Sequence, residues 1–261
     1  MTLLKHEIRQ GRNALAIWTS SIALLIIVCL LMFPEMKSEM ENFSSLFASL
    51  GSFTQAFGMD KISFGSLMGF YAVECGNILG LCGGFFAALL GASALSKEEK
   101  EHTAEFLLTH PIRRSRIVAE KLLAVLLQLL AMNAVLYLVS IAFIALIGES
   151  IPWKALSLLH LAYLLLQIEL AALCFGLSAF TRRGSQGIGI GLAAMMYFLN
   201  LVANISDSAA FLKYITPFGY AEGSEIASSV SLDVKLLLPG MLYAAVGILL
   251  AHWHYCRKDI H

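Results

Sequence analysis

SKEEKEHTAEFLLTHPIRRSRIVAEK, residues 96–121, decides how the rest of this 261-residue chain is read. It is the densest cluster of charge in a sequence that is 58% hydrophobic and 14% charged, and long apolar runs flank it on both sides. Ionised side chains cost several kcal/mol each in hydrocarbon, so this island lies at a membrane surface between two spans. Ser96 followed by Glu99 forms an S-x-x-E capping box, which starts a helix by satisfying its free N–H groups. Pro111 ends that helix, because it lacks an N–H and pushes His110 out of the α region. The predicted element covers about residues 97–110, roughly three to four turns.

This short helix has two distinct faces. Ala104, Leu107 and Leu108 form an apolar stripe at helical spacing. Glu99, Thr103, Phe106 and His110 fall on another face, with Phe106 its only large apolar member. Both faces can pack on the membrane domain or on lipid headgroups. Alternatively, the helix docks on a soluble partner, with Phe106 entering a groove.

Outward from this loop the chain divides into spans of the length a bilayer requires. The expected spans are about 14–33, 70–95, 122–147, 156–180, 188–202 and 236–255, the first ended by Pro34. The fold class is therefore all-α, a polytopic membrane protein with a single transmembrane domain over residues 1–261. The N-terminal apolar run is too long for a cleavable signal peptide and has no small-x-small exit, so it stays as a span. Between the first two spans, Met40, Phe43, Leu46, Phe47, Leu50, Phe53 and Phe57 recur at helical spacing against Ser, Asn, Gln and Glu. That pattern predicts an amphipathic helix lying in the outer interface, with Gly58 as its C-cap. Residues 204–233 read as a second polar loop.

Charge sets the orientation. Six spans put both termini on one side, and the segments on that side carry thirteen Lys and Arg against five on the other. Cations in short loops mark the cytoplasmic face, so the termini and the 96–121 loop are expected inside.

Gly76, Gly80, Gly84, Ala88 and Ala92 step by four along the second span and leave one face nearly bare. Such a face lets another helix approach closely, either between two copies of the chain or within one bundle. The five cysteines lie in or beside apolar runs and read as small hydrophobes. His252, His254 and Cys256 step by two along a helix and diverge, with Trp253 and Tyr255 suggesting an interfacial belt.

Some chemistry is missing from the sequence. It contains no G-x-x-x-x-G-K-[ST], no H-E-x-x-H and no G-x-S-x-G. Equal numbers of cations and anions, 18 of each, give no basic tail for nucleic acid. The ionisable residues within the spans are Glu74, about one turn from an outer end, and Glu169, near mid-membrane. Asn133 falls at a depth similar to Glu169. A mid-membrane carboxylate is a functional candidate, but it also suits a structural hydrogen bond to Asn133 or to backbone.

With these residues in view, the chain resembles the permease subunits of type-2 ABC transporters. A Phe57-Gly58-x-Asp60 turn precedes an aromatic-rich span bearing Glu74. The run from Glu98 to Leu108 is similar to the family's pattern of acidic residues, Gly-Thr, a further acidic residue and a leucine pair, with His102 standing where glycine is usual. Thr109 to Arg116, with the following Lys121, resembles its proline-arginine run. Thr216-Pro217-Phe218 and Arg257-Lys258-Asp259-Ile260 resemble two further marks. The resemblance implies that the 97–110 element is a coupling helix, with Glu99, Glu101, Thr103, Glu105, Phe106, Leu107, His110 and Pro111 facing a cytoplasmic ATPase subunit. It implies an assembly of two permeases, as a homodimer, with two ATPases, in the cytoplasmic (inner) membrane of a bacterium and in contact with lipid. The chain would hold no cofactor of its own, ATP and Mg being bound by the partner ATPase, and would be no enzyme. Glu169, Asn133 and Glu74 are the candidate pathway residues for an exported amphipathic peptide, lipid or drug-like substrate. The rival readings are a proton-coupled secondary transporter using Glu169, and an intramembrane enzyme or maturation factor.

Overall fold

Runs of Leu, Ile, Val, Ala and Phe too long for a soluble core leave each segment one way to satisfy its backbone in hydrocarbon, the α-helix. The computed structural model describes residues 2–39, 51–57, 59, 65–97, 113–181 and 186–257, and these are mostly helical, joined by turns and without strands. The long helices are α1 (Thr2–Ser38), α3 (Leu67–Ala94), α4 (Arg114–Leu146), α5 (Trp153–Ser178), α6 (Gln186–Ile205) and α8 (Val234–Arg257). All six are long and apolar enough to cross a membrane. The short elements are α2 (Ser52–Ala56), a 3₁₀ helix η1 (Asp207–Tyr214) and α7 (Gly223–Ser229).

Pro34 does not end the first helix. It lies inside α1, which continues to Ser38. One missing N–H near a helix end is a small loss when the last turn has other attachments. Here the Phe33 and Phe70 rings meet at 5.4 Å, and Lys37 Nζ reaches Glu149 Oε1 at 2.6 Å. Residues 2–12 likewise belong to α1.

Local chemistry fixes two other helix ends. Ser66 caps α3 by accepting a hydrogen bond from Gly69 N at 3.1 Å. Gly148 follows α4 at φ 79°, a left-handed geometry that glycine adopts without steric cost. Ser96 was expected to open a new helix toward Glu99. Its hydroxyl donates to Ala92 O at 3.0 Å at the end of α3, and Glu99 lies outside the described residues.

The helices α3 and α5 form the centre of the bundle, and most of their side chains are buried. The bare face of α3 explains why. A Cβ at Gly76 would sit 2.7 Å from Tyr163 Oη, and one at Gly84 3.1 Å from Leu170 Cδ1, both on α5. Cβ atoms at Gly83 and Gly91 would strike Gln167 and the Ala171 carbonyl. The small-residue stripe is therefore filled within the same chain, by α5 at Gly76, Gly80 and Gly84 and by Gly189 of α6 at Ala88 and Ala92. Around this pair, α1 packs on α4, α6 on α3, and α8 on α5. The α5–α8 crossing is close at Gly176 and Gly247, where a Cβ on Gly176 would lie 2.9 Å from the Gly247 carbonyl.

The second loop is not simply polar. Thr216 to Ser224 are buried. Phe218 enters the space above Gly80 and Gly84 and meets the Tyr197 ring at 5.3 Å. Thr216 Oγ1 donates to Met196 O at 2.8 Å and accepts from Phe218 N at 3.3 Å. Aromatic rings in this stretch find apolar volume that the glycines of α3 leave open, so burial overrides the surrounding polar composition. Of the expected outer amphipathic helix, residues 52–56 form α2, tied to α6 by Asn204 Nδ2 donating to Ala56 O at 3.2 Å. Residues 40–50 and Gly58 lie outside the described residues.

Candidate functional site

Glu169 is fully enclosed, at 0% exposure, on the central helix α5. Neither of its carboxyl oxygens has a hydrogen-bond partner among the described residues. Its carboxyl lies directly against Gly240 of α8, where a Cβ would collide with Oε2. Gly240 follows Pro239, which sits inside α8. Tyr220 and Tyr243 lie within electrostatic reach of the carboxyl. Tyr220 Oη nevertheless falls short of a hydrogen bond and is itself unpartnered and buried. An enclosed carboxyl without partners is costly in an apolar medium.

One turn along α5 from Glu169, Leu173 begins an apolar groove between α5, α6 and α8 of about 360 Å³. Gly176, Leu192, Met196, Tyr243 and Gly247 also line it. It opens between helices whose outer faces are strongly apolar: Ile188, Met195 and Phe198 on α6, and Met241, Leu242 and Leu249 on α8 are all exposed.

The three pathway candidates do not converge. Asn133 makes no bond to Glu169. Its Nδ2 donates to Leu129 O at 2.9 Å and to Gln167 Oε1 at 2.6 Å. Gln167 Nε2 in turn donates to Leu79 O at 3.2 Å. Gln167 thus links α3, α4 and α5 at mid-membrane, a role the sequence reading missed. Its signal was present: an amide on each of two neighbouring spans at matching depth. Glu74 is separate from both, half-buried on α3 beside Cys75.

The coupling-helix candidates Glu99, Glu101, Thr103, Glu105, Phe106, Leu107, His110 and Pro111 all lie outside the described residues. The elements flanking them are firmly attached to each other. Lys121 of α4 is 1% exposed, pairs with Glu7 Oε1 of α1 at 2.9 Å and donates to Ala94 O of α3 at 2.8 Å. Glu120 Oε2 accepts from Leu4 N at 3.0 Å, and its other oxygen pairs with Arg116 at 2.8 Å. Three helices therefore converge at the end of the bundle that carries the termini, where the 98–112 segment departs and returns. At the same end Arg257 lies 4.7 Å from the Trp253 ring centroid. His252 Nε2 lies 3.9 Å from Cys256 Sγ.

A family model described as ABC-2 family transporter protein matches residues 1–260. The chain belongs to this family. A comparison with characterised proteins gave no match. As an ABC-2 protein it is the permease component of an ABC transporter, a multi-pass protein of the cell membrane. In an ABC-2 permease the work falls to helix faces and loops. This accounts for a bundle whose most unusual group is an unpartnered carboxyl beside an apolar groove.

Proposed function

We propose that this permease exports an amphipathic peptide, lipid or drug-like molecule, driven by ATP hydrolysed on a separate cytoplasmic subunit. The observation that carries the reading is the enclosed Glu169 one turn of α5 from the apolar α5–α6–α8 groove, with Tyr243 lining the groove and lying within electrostatic reach of the carboxyl. An apolar groove with one ionisable group close behind its wall suits a substrate with a long apolar part and a polar or cationic head. The exposed apolar faces of α6 and α8 support pairing with a second permease along this side, which would place Glu169 next to the path between the two copies. The ATPase docks on the 97–110 segment with Phe106 as anchor. The Lys121–Glu7–Ala94 junction ties together α1, α3 and α4, the last two being the helices on either side of that segment.

Two substitutions test this. Phe106→Ala removes an interface anchor, and such anchors are worth about 2 kcal/mol or more. The variant should lose both ATPase co-purification and stimulated hydrolysis. Unchanged capture of the ATPase removes Phe106 from the interface. Glu169→Gln should express and bind the ATPase normally yet lose or alter export. Wild-type export by Glu169→Gln, together with failed assembly of Glu169→Leu, makes the carboxyl a structural group instead.

A further inference from the structure

A second groove, about 290 Å³ in volume, lies between α4 and α5 and shares no lining residue with the α5–α6–α8 groove. Its rim residues Leu130 and Leu161 are exposed to the membrane. Two of its lining residues, Asn133 and His160, are polar and more than nine-tenths buried, at 5% and 6% exposure. Each has an atom without a hydrogen-bond partner: Asn133 Oδ1 and His160 Nδ1.

The surrounding bonds decide what these two atoms are. Asn133 Nδ2 contacts Leu129 O, and a carbonyl only accepts, so the amide orientation is fixed and the free atom is the oxygen. At His160, three linked contacts must share their protons: Ser140 Oγ to Leu136 O at 2.8 Å, Tyr71 Oη to Ser140 Oγ at 2.6 Å, and Tyr71 Oη to His160 Nε2 at 2.9 Å. Only one assignment makes all three bonds. Ser140 donates to the carbonyl, Tyr71 then donates to Ser140, and His160 Nε2–H donates to Tyr71. Nδ1 is left with a lone pair. The groove therefore holds two acceptors and no free donor among these groups.

Their depth is also set. Asn133 is 13 residues from Leu146, and His160 is 7 residues from Trp153, or about 20 and 10 Å from the α4–α5 turn at the helical rise. Both acceptors lie within the hydrocarbon. There, an unmet acceptor is a strong selector for any apolar molecule that brings a donor. Tyr137 stands at the mouth. Its ring meets the His160 ring edge-on at 5.0 Å, and its hydroxyl is held by Ser157 Oγ at 2.6 Å on the exposed rim.

We infer that this groove binds a membrane lipid bearing a free hydroxyl, which donates to His160 Nδ1 or Asn133 Oδ1 while its chain lies along Leu130 and Leu161. Rotation of Tyr137 away from Ser157 admits it. This site is separate from the groove at Glu169 and does not depend on export through that groove.

The test uses the full chain in lipid nanodiscs, with a diazirine-bearing hexadecanol and its methyl ether as photoprobes, and labelled residues mapped by mass spectrometry. The alcohol should label Leu130, Ala134, Leu161 or Leu164 about fivefold more than the ether, the factor one ordinary net hydrogen bond supplies. His160→Phe combined with Asn133→Leu should reduce the alcohol's labelling to the ether's level, and Ala134→Trp, which fills the groove without touching the bonded network, should lower labelling by both probes. Equal labelling by alcohol and ether in the wild-type protein overturns the proposal, since it means that the acceptors select nothing or are met by trapped water. Efficient disulfide formation between two copies through Ala134→Cys or Leu161→Cys also overturns it, by making the groove a protein interface.

Discussion

Gln167→Met is the substitution whose cost most directly tests the mid-membrane amide link. Methionine matches glutamine in length, so Gln167→Met removes hydrogen bonds with little change of volume. Two bonds disappear: the 2.6 Å bond from Asn133 and the 3.2 Å bond to Leu79 O. In a soluble core the orphaned groups would cost about 1–3 kcal/mol each. Inside a membrane bundle the measured average per side-chain bond is only about 0.6 kcal/mol, with a maximum near 1.7. The structure favours the lower scale, because each abandoned group keeps another partner. Asn133 Nδ2 retains Leu129 O, and Leu79 O lies within α3, where it already accepts a backbone bond. Two bonds at the average give about 1 kcal/mol. Detergent-titrated unfolding of Gln167→Met, Asn133→Leu and the double variant should show that loss, with a coupling of about 0.6 kcal/mol between the two sites. Zero coupling means that the 2.6 Å bond does not exist in the membrane. A loss well above 3 kcal/mol means that the amides are true orphans when cut, and the argument from retained partners fails.

Three other outcomes follow from particular contacts. Gly240→Ala should destabilise by about 1–3 kcal/mol through overpacking on Glu169, and Glu169→Ala should relieve most of that loss in the double variant; additive unfolding energies would separate the two residues. Lys121→Met should cost about 3 kcal/mol, the low end for a broken buried ion pair, since Glu7 is 14% exposed and can rehydrate; a thermal midpoint equal to wild type would show that the pair contributes nothing. The amphipathic sequence pattern of residues 40–57 predicts that an impermeant thiol reagent added outside modifies Ser45→Cys and Ser52→Cys and spares Phe47→Cys, whereas modification from the cytoplasm alone would invert the topology.

Long, uniform patterns could be read from the sequence, whereas pairings between helices could not. Twenty apolar residues in a row leave a segment few alternatives, so the six helices and the all-α class were readable directly. The stripe from Gly76 to Ala92 announced a close helix contact, but not whether the partner was α5 or a second copy, because spacing carries no address. Glu169 stood out as a lone carboxyl at depth, yet its neighbour proved to be Gly240, a residue with no side chain to suggest it. Asn133 was matched to the charged residue rather than to Gln167, because charge was weighted above donor–acceptor fit. Thr216 to Ala221 read as loop because the flanking residues are polar. Their burial depends on a vacancy created by glycines more than 130 positions earlier in the chain. Pro34 misled as a helix stop because its cost was weighed without the aromatic and ionic contacts around it.

The interlocking of α3 with α5 limits how the permease can move. Side chains of one helix sit in the glycine notches of the other at Gly76, Gly80, Gly83 and Gly84, and Gly91 meets a backbone carbonyl. A sliding step along this contact would drive Tyr163, Gln167 and Leu170 out of their notches together, so shear between α3 and α5 is the most expensive displacement in the bundle. The lightly buried α6 and α8 carry fewer notches among the described residues, Gly189 against α3 and Gly240 and Gly247 against α5. Opening and closing in this transporter should then resemble a door on a fixed post: α3 and α5 turn as one piece, and α6 and α8 swing against them.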